Sequence, residues 1–163
     1  MADEAGQQAT DFREVRTQPL AILTAILAPA QALGETPYGN RKIVSVEGGS
    51  FVGPRIRGRI VPGGGDWALT RRDGVLLLDV RLTIETDDGA LVYCSYTGQR
   101  HGAPDVMARL AKGESVDPSE MYFRIAPKFE TSAPAYDWLN RLLAVGTGER
   151  LKAGPRYHIH EVL

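Results

Sequence analysis

Cysteine is almost absent from this chain, and its scarcity excludes two classes of protein. Cys94 is the single cysteine among 163 residues. Disulfide frameworks and thiolate metal clusters both need several sulfur atoms, so neither forms within one chain. The N-terminal segment carries Asp3, Glu4, Asp11 and Glu14 where a secretory signal peptide has a basic leader. We therefore expect a protein of the reducing cytoplasm.

Long hydrophobic runs and an excess of charge are also missing. The longest apolar stretch, residues 20–28, is about half of the roughly twenty residues that a membrane-spanning helix needs, and it predicts a buried strand. Nineteen Lys and Arg balance twenty Asp and Glu, which gives a net charge of −1. A general nucleic-acid binder needs a basic surface to displace counterions from phosphates. Neither a membrane nor a nucleic acid is an expected partner.

Glycine and proline, in contrast, are frequent and separate short apolar runs. The 18 Gly and 10 Pro give the pattern of an all-β domain with tight turns. The chain length suits one domain. We expect residues 1–11, which lack apolar periodicity, to form a flexible tail before a single domain over residues 12–163. Besides three central strands, further strands are predicted near residues 20–28, 42–52, 55–61, 121–130, 142–150 and 156–162.

Only two segments have helical character, and both are short. They cover residues 105–112 and 134–141, too little to shield a sheet. A sheet without helical cover buries its apolar face against a second sheet or against itself. Parallel pairing is excluded because it needs helical crossovers. We predict an all-β fold with a single antiparallel β-barrel of about eight to ten strands and one or two short helices.

Two Asp-Gly pairs predict the register of the central strands. Asp73-Gly74 and Asp88-Gly89 are preferred in two-residue type I′ turns. Turns of this type would pair Asp66 with Arg81 and Arg81 with Tyr96. In this register one face carries Trp67, Leu69, Leu78, Val80, Leu82, Ile84 and Tyr93. The other face carries Asp66, Asp79, Arg81, Thr83, Glu85, Cys94 and Tyr96.

The predicted row of Asp66, Arg81 and Tyr96 has two interpretations. If it points into the barrel, an arginine between a carboxylate and a phenol suits a carbonyl or carboxylate group, and a carboxylate is available as acid or base. If it points outward, it is a solvated face whose ion pairs contribute little. The apolar opposite face favours the outward orientation. Trp67 and Tyr93 would then line any cavity.

A second candidate group lies in the C-terminal half. Arg124 and Glu130 could form a buried pair at a barrel mouth, with Trp138 as an aromatic wall and Asn140 as an amide donor. Alternatively, Trp138 plugs one end of the barrel and Asn140 caps a loop. Because small barrels usually fill their interiors with side chains, plugging is the favoured interpretation.

Three other features resemble sites but have simpler explanations. His101, His158 and His160 could bind zinc or iron together, yet nothing in the sequence brings His101 near the other two, so we expect a solvent-facing pair and no metal. Cys94 has no evident group to lower its pKa and is expected to be an ordinary strand residue. Residues 63–65, three glycines without a following helix, predict a bulge rather than a phosphate-binding loop.

Several separated motifs together resemble one known family. They are Gly49-Ser50-Phe51-Val52-Gly53-Pro54, Pro62-Gly63-Gly64-Gly65-Asp66-Trp67, Glu85-Thr86-Asp87-Asp88-Gly89, Tyr122-Phe123-Arg124, Phe129-Glu130-Thr131 and Trp138-Leu139-Asn140. From about residue 20 to the C-terminus the chain is similar to uncharacterised protein family 0311, the domain of unknown function numbered 3237. The resemblance implies a small antiparallel barrel, broadly like calycins and allene oxide cyclases, in bacteria and fungi. It implies no established reaction and no catalytic residues.

These observations predict a small-molecule pocket at the barrel mouth for an apolar ligand with an oxygen function. The candidate lining is Asp66, Trp67, Arg81, Glu85, Tyr93, Arg124, Glu130 and Trp138. Such a pocket suits a cofactor-free isomerisation, cyclisation or hydration, and equally a carrier or, if the interior is filled, a structural module. A carboxylate or tyrosine with a displaced pKa would favour the enzyme. A homodimer is also expected.

Overall fold

The computed structural model describes residues 13–163, so the predicted tail lies outside the described residues. The strands are β1 Thr17–Leu27, β2 Gln31–Thr36, β3 Gly39–Val52, β4 Arg57–Thr70, β5 Leu76–Thr86, β6 Leu91–Gly102, β7 Met121–Glu130, β8 Ala144–Arg150 and β9 Pro155–Val162. One α-helix, α1, spans Pro104–Ala111, and 3-10 segments span Pro118–Glu120 and Pro134–Arg141. None of these helices has the length and hydropathy needed to cross a bilayer.

The strands form one antiparallel sheet that closes on itself. Their order is β1-β9-β8-β7-β6-β5-β4-β3-β2, and an additional pairing of β1 with β3 closes an eight-stranded barrel. This confirms the predicted all-β antiparallel barrel with two short helices. The sequence analysis missed β2, a mostly exposed strand that extends the β3 ladder beyond the barrel, because its residues show no apolar alternation.

Side chains alternate between the lumen and the outer surface along each strand. On β7 the inward residues are Met121, Phe123, Ile125, Pro127 and Phe129, all buried, and the residues between them are exposed. Phe51 on β3 meets Phe129 edge to face, with 5.8 Å between the ring centroids. These strands lie on opposite sides of the closed sheet. The contact therefore spans the lumen, and the apolar core fills this part of the barrel.

The two central turns differ from the type I′ turns predicted. Within these two turns only Gly74 and Gly89 have positive φ, +86° and +87°. A type I′ turn requires positive φ at both central residues. Backbone N–H groups of Gly74 and Gly89 donate to the carbonyls of Arg71 and Thr86, three residues earlier. Both loops are therefore type I turns that end on a left-handed glycine. Each shifts the pairing by one residue relative to a type I′ turn.

The predicted pairs of Arg81 with Asp66 and Tyr96 are consequently wrong. Asp66 is opposite Val80, Val80 is opposite Tyr96, and Arg81 is opposite Ser95. A slip of one residue exchanges the two faces of a strand. The face assignment is right for β5, whose buried side is Leu78, Val80, Leu82 and Ile84, and inverted for β4 and β6. Asp66 and Tyr96 thus face the lumen, while Trp67 and Tyr93 face outward.

The two ends of the barrel are built differently. The segment Pro134–Arg141 crosses one end, named here the Trp138 end, where Leu139 is fully buried and Trp138 packs against the core. Asn140 closes the preceding loop by accepting from the Thr131 N–H and donating to the Thr131 carbonyl, both at 2.9 Å. Asn140 therefore caps a loop, as predicted, and the segment plugs this end with Leu139, rather than the half-buried Trp138, as the fully buried side chain. The opposite end, named here the α1 end, carries α1 after β6. The predicted glycine bulge is also confirmed, since the β4 register shifts between Val61 and Gly65.

Candidate functional site

Polar side chains gather inside the barrel toward the α1 end. They are Asp66 on β4, Tyr96 and Arg100 on β6, Arg150 on β8 and Tyr157 on β9, and we refer to them as the lumen cluster. Each of these side chains lies on the buried face of its strand. Arg100 is on the same face of β6 as Cys94 and Tyr96, and Arg150 is on the same face of β8 as the buried glycines. Asp66, Arg100 and Arg150 are half-buried, whereas Tyr157 is fully buried. Three of the five side chains therefore keep some contact with solvent.

Aromatic rings form the floor of the lumen cluster. Tyr157 packs edge to face against Tyr96 and Phe123, with ring centroids 5.4 Å and 5.3 Å apart. The Arg100 guanidinium carbon lies 5.5 Å from the centroid of the Phe123 ring. Phe123 thus contacts both the arginine and the phenol, and it fixes their positions relative to each other.

Two buried polar atoms of this cluster lack a hydrogen-bond partner within residues 13–163. They are the Tyr157 hydroxyl oxygen and Arg100 Nε. The Tyr96 and Tyr157 hydroxyl groups are close enough to affect each other's pKa, but the Tyr157 hydroxyl meets no partner with hydrogen-bond geometry. A buried unsatisfied donor costs about 1–3 kcal/mol. Native proteins rarely keep such groups without a bound water, an ion or a functional role.

Burial raises the pKa of the Asp66 carboxyl to about 6. The Asp79 carboxylate raises it further, while the Asp79 backbone N–H, which donates to Asp66 Oδ1 at 3.0 Å, lowers it. The positive charges of Arg100 and Arg41 also lower it, by less than burial raises it. Asp66 therefore populates both protonation states near neutral pH, as a general acid or base requires.

The other groups of the cluster are hydrogen-bond donors. Burial raises the pKa of both Tyr96 and Tyr157, so the phenols keep their protons. Burial lowers the pKa of Arg100, and the charge of Arg150 lowers it further, but a guanidinium stays protonated in proteins. Protonated phenols and guanidiniums can stabilise a negative oxygen that develops beside them. Cys94 is buried with its thiol pKa raised by that burial, which makes it unreactive, as predicted.

A separate groove of about 980 Å³ lies on the outer surface. The groove runs over the outer face of β5, β6 and β7, beside the paired positions Leu78, Gly98 and Ile125. Its apolar lining is Trp67, Leu69, Leu77, Tyr122, Ala126 and Val145. Trp67 and Arg124 are the two predicted site residues that line it. Because successive side chains on a strand point to opposite faces, the sheet separates this groove from the lumen cluster.

The remaining predicted site residues are dispersed over the surface. Arg81 lies 3.3 Å from Asp79 and over the Trp67 ring on the outer face, and Glu85 pairs with Arg59 there. Tyr93 is opposite Glu130, and both are exposed. Trp138 lies under Arg55 at the Trp138 end, 3.9 Å from its guanidinium. Of the eight predicted residues, Asp66 alone belongs to the lumen cluster.

Arg124 and the histidines also differ from the arrangements considered for them. Arg124 donates to the Phe123 carbonyl and does not meet Glu130. His158 and His160 face outward on β9, and His101 stacks on Tyr122, so the three imidazoles do not converge. Sequence reasoning missed Arg100, Arg150 and Tyr157. A signal was present for Arg100, since it continues the inward alternation of Cys94 and Tyr96.

Comparison with known proteins gives the chain a family. It is 36% identical over 149 residues to UPF0311 protein RPA1785 of Rhodopseudomonas palustris, with 91% of this chain and 97% of the relative covered. The crystal structure of RPA1785, described as a conserved protein of unknown function, has a TM-score of 0.90 at 35% identity and covers 93% of this chain and 100% of its own.

Two further solved structures share the fold. A β-barrel like protein from Acinetobacter baumannii AYE has a TM-score of 0.81 at 38% identity, with coverage of 94% of this chain and 99% of its own. An enzyme from Penicillium herquei has a TM-score of 0.72 at 20% identity, with coverage of 94% and 98%, and shows likeness of fold alone. The family model described as "Protein of unknown function (DUF3237)" matches residues 15–162. The chain therefore belongs to that family, as its motifs suggested.

Proposed function

We propose that the protein is a cofactor-independent enzyme that transfers a proton on a small carbonyl compound at the α1 end of the barrel. The reaction class is isomerisation or cyclisation. The observation that carries this proposal is Asp66, a carboxyl group inside the barrel whose pKa is raised to about 6. A carboxyl with that pKa accepts a proton in one step and returns it in the next at neutral pH.

The neighbours of Asp66 supply the second requirement of such chemistry. Removal of a proton from the carbon next to a carbonyl leaves negative charge on the carbonyl oxygen. The Tyr157 hydroxyl and the Arg100 guanidinium, which carry the cluster's unpartnered polar atoms, are the donors for that oxygen. The proton taken by Asp66 then returns to a different atom of the same molecule. No electrons leave the substrate, so the step balances without an oxidant or reductant.

The barrel fold itself is compatible with catalysis. The Penicillium herquei protein with the same fold is described as an enzyme. At 20% identity this likeness supports only the suitability of the barrel and transfers no residue or substrate. The support for this chain comes from the chemistry of its own lumen cluster.

Proton exchange tests the proposal without knowledge of the natural substrate. The protein is incubated in D₂O with phenylpyruvate, acetophenone and cyclohexanone, and NMR follows deuterium incorporation next to the carbonyl. We expect faster exchange than in buffer for at least one probe, and a loss of about 100-fold or more in Asp66→Asn, because a general base contributes about 10²–10⁴-fold. Asp105→Asn, which removes an exposed carboxyl of α1, is the matched control and keeps the wild-type rate.

Equal exchange rates for the wild type and Asp66→Asn would contradict the proposal. Native mass spectrometry of protein purified from its own host addresses the carrier interpretation. A co-purified ligand that persists in Asp66→Asn, without exchange above buffer in the wild type, would identify a carrier. That outcome would leave the lumen cluster as a binding site only.

A further inference from the structure

We infer that the ligand of the lumen cluster is a small organic anion whose carboxylate or phosphate group is held between Arg100 and Arg150. This inference deepens the proposed function and rests on it, because it assigns the substrate class of the same site. It is carried by two arginines that share the lumen without a carboxylate partner, one of which has a buried Nε with no hydrogen-bond partner among the described residues.

About half of the arginines outside the lumen have carboxylate partners. Arg59, Arg71, Arg81, Arg109, Arg141 and Arg156 each lie within 4.0 Å of an Asp or Glu oxygen. Exposed pairs of this kind contribute little to stability, since water screens them. Their presence shows that carboxylates are available to arginines across the surface of this protein.

Inside the barrel, where a counter-charge matters most, neither arginine has such a partner. Arg100 and Arg150 have no carboxylate oxygen within 4.0 Å in the described part of the chain. The Arg150 guanidinium donates to the Leu151 carbonyl at 3.1 Å, and Arg100 Nε is buried without a partner. Two like charges that affect each other in a half-buried site are unfavourable until an anion joins them.

The single carboxyl of the lumen cluster does not neutralise these charges. Asp66 carries at most one negative charge against the two guanidiniums, and its Oδ1 already accepts the Asp79 N–H. The cluster therefore has an excess of positive charge that an external anion would balance. A guanidinium presents its donors as a planar fork that matches carboxylate and phosphate oxygens.

The surroundings of the two arginines indicate the rest of the ligand. Phe123, Tyr96 and Tyr157 form an aromatic floor next to Arg100. Such a floor favours an aromatic or aliphatic body over a fully hydrated ion. A ligand with an anionic head at the arginines and an apolar body on the rings satisfies both parts of the site.

Binding of three matched probes tests the inference. Benzoate, phenyl phosphate and the neutral benzamide are titrated into the protein by calorimetry, with the Arg Nε–H resonances followed by NMR. We expect benzoate or phenyl phosphate to bind and to shift the Arg100 resonance. Benzamide should bind at least about tenfold more weakly, because it lacks the negative charge and the second oxygen with which a carboxylate accepts from a guanidinium. The tighter anion identifies which oxyanion the site prefers.

Two variants and one control assign the binding to the lumen. Arg150→Gln should weaken the anion at least about tenfold, and Arg100→Lys, which keeps the charge of a more buried side chain, should weaken it less. Arg57→Gln, which removes an exposed arginine of β4, should leave the affinity unchanged. Equal binding of benzamide and benzoate, or unchanged anion affinity in Arg150→Gln, would overturn the inference.

The same measurements separate this inference from the proposed function. Asp66→Asn should bind the anion as well as or better than the wild type while it loses proton exchange. If the wild type exchanges the protons of acetophenone but binds none of the anions, the enzyme proposal stands and the anion inference fails. If the anions bind and Asp66→Asn exchanges as fast as the wild type, the opposite holds.

Discussion

The two ends of the barrel enclose charged groups in opposite ways. At the Trp138 end the buried Glu161 carboxylate accepts from the Gln18 amide and from the Arg55 guanidinium, the latter at 2.6 Å. At the α1 end Asp66 accepts one backbone N–H, and Arg100 Nε has no partner within the described residues. The same barrel therefore contains a buried carboxylate with two side-chain partners and a guanidinium nitrogen with none.

This difference separates a structural role from a functional one. Satisfied buried groups hold a fold in one arrangement, and Arg55 also lies over Trp138, which ties the ion pair to the plug. Polar groups without a protein partner are available to a ligand or to water. We therefore assign the Trp138 end to closure of the barrel and propose the α1 end for chemistry.

The largest expected effect on stability comes from the apolar core that fills the lumen near the Trp138 end. Phe51→Ala removes a fully buried ring that packs against Phe129 and should lower the free energy of unfolding by about 3–5 kcal/mol. Tyr93→Ala, which truncates an exposed ring on the outer face, should cost less than about 1 kcal/mol. Denaturant unfolding measures both. Similar losses for the two variants would contradict the filled lumen.

At the α1 end, removal of a charge should stabilise the protein. With a pKa raised from 3.8 to about 6, folded Asp66 keeps a proton that the unfolded chain releases. The stabilisation of the folded state by this bound proton is fully present below about pH 4 and is lost as the pH rises through about 6. Asp66→Asn should therefore be roughly 2–3 kcal/mol more stable than the wild type at pH 7. Unfolding curves from pH 3 to 8 test this, and a stability difference independent of pH would contradict it.

The smallest expected effect is the difference in stability cost between removing two arginines whose carboxylate partners differ in burial. Arg55→Ala leaves the buried Glu161 without its counter-charge and should cost about 1–2 kcal/mol. Arg59→Ala breaks a pair with the more exposed Glu85 and should cost less than about 1 kcal/mol. Thermal or denaturant unfolding resolves the pair. Equal costs would remove the distinction between a closed end and a solvated surface.

Several properties could be predicted from the sequence because they depend on local patterns. Short alternating runs between glycines and prolines indicate antiparallel strands, and the lack of long helices indicates closure of the sheet. The separated motifs identified the family. The glycines at 63–65 marked a bulge that the β4 ladder contains. The homodimer and the cytoplasmic location stay predictions.

The candidate site, in contrast, depended on a single residue of register. Asp-Gly suits both a type I′ turn and a type I turn with a left-handed glycine, and only the backbone angles of the folded chain distinguish them. Because side chains alternate with a period of two, that choice decided whether Asp66 or Trp67 entered the lumen.

The amino-acid sequence by itself thus determined the barrel, its closure and its family, since strand alternation and turn residues act over a few positions. Only the tertiary structure decided which polar groups share the lumen. Tyr157 packs against Tyr96 because β9 lies across the closed sheet from β6, a proximity that no local pattern encodes. Pairing of β1 with β3 closes the sheet and brings these distant strands around one lumen. Burial in that lumen raises the pKa of Asp66.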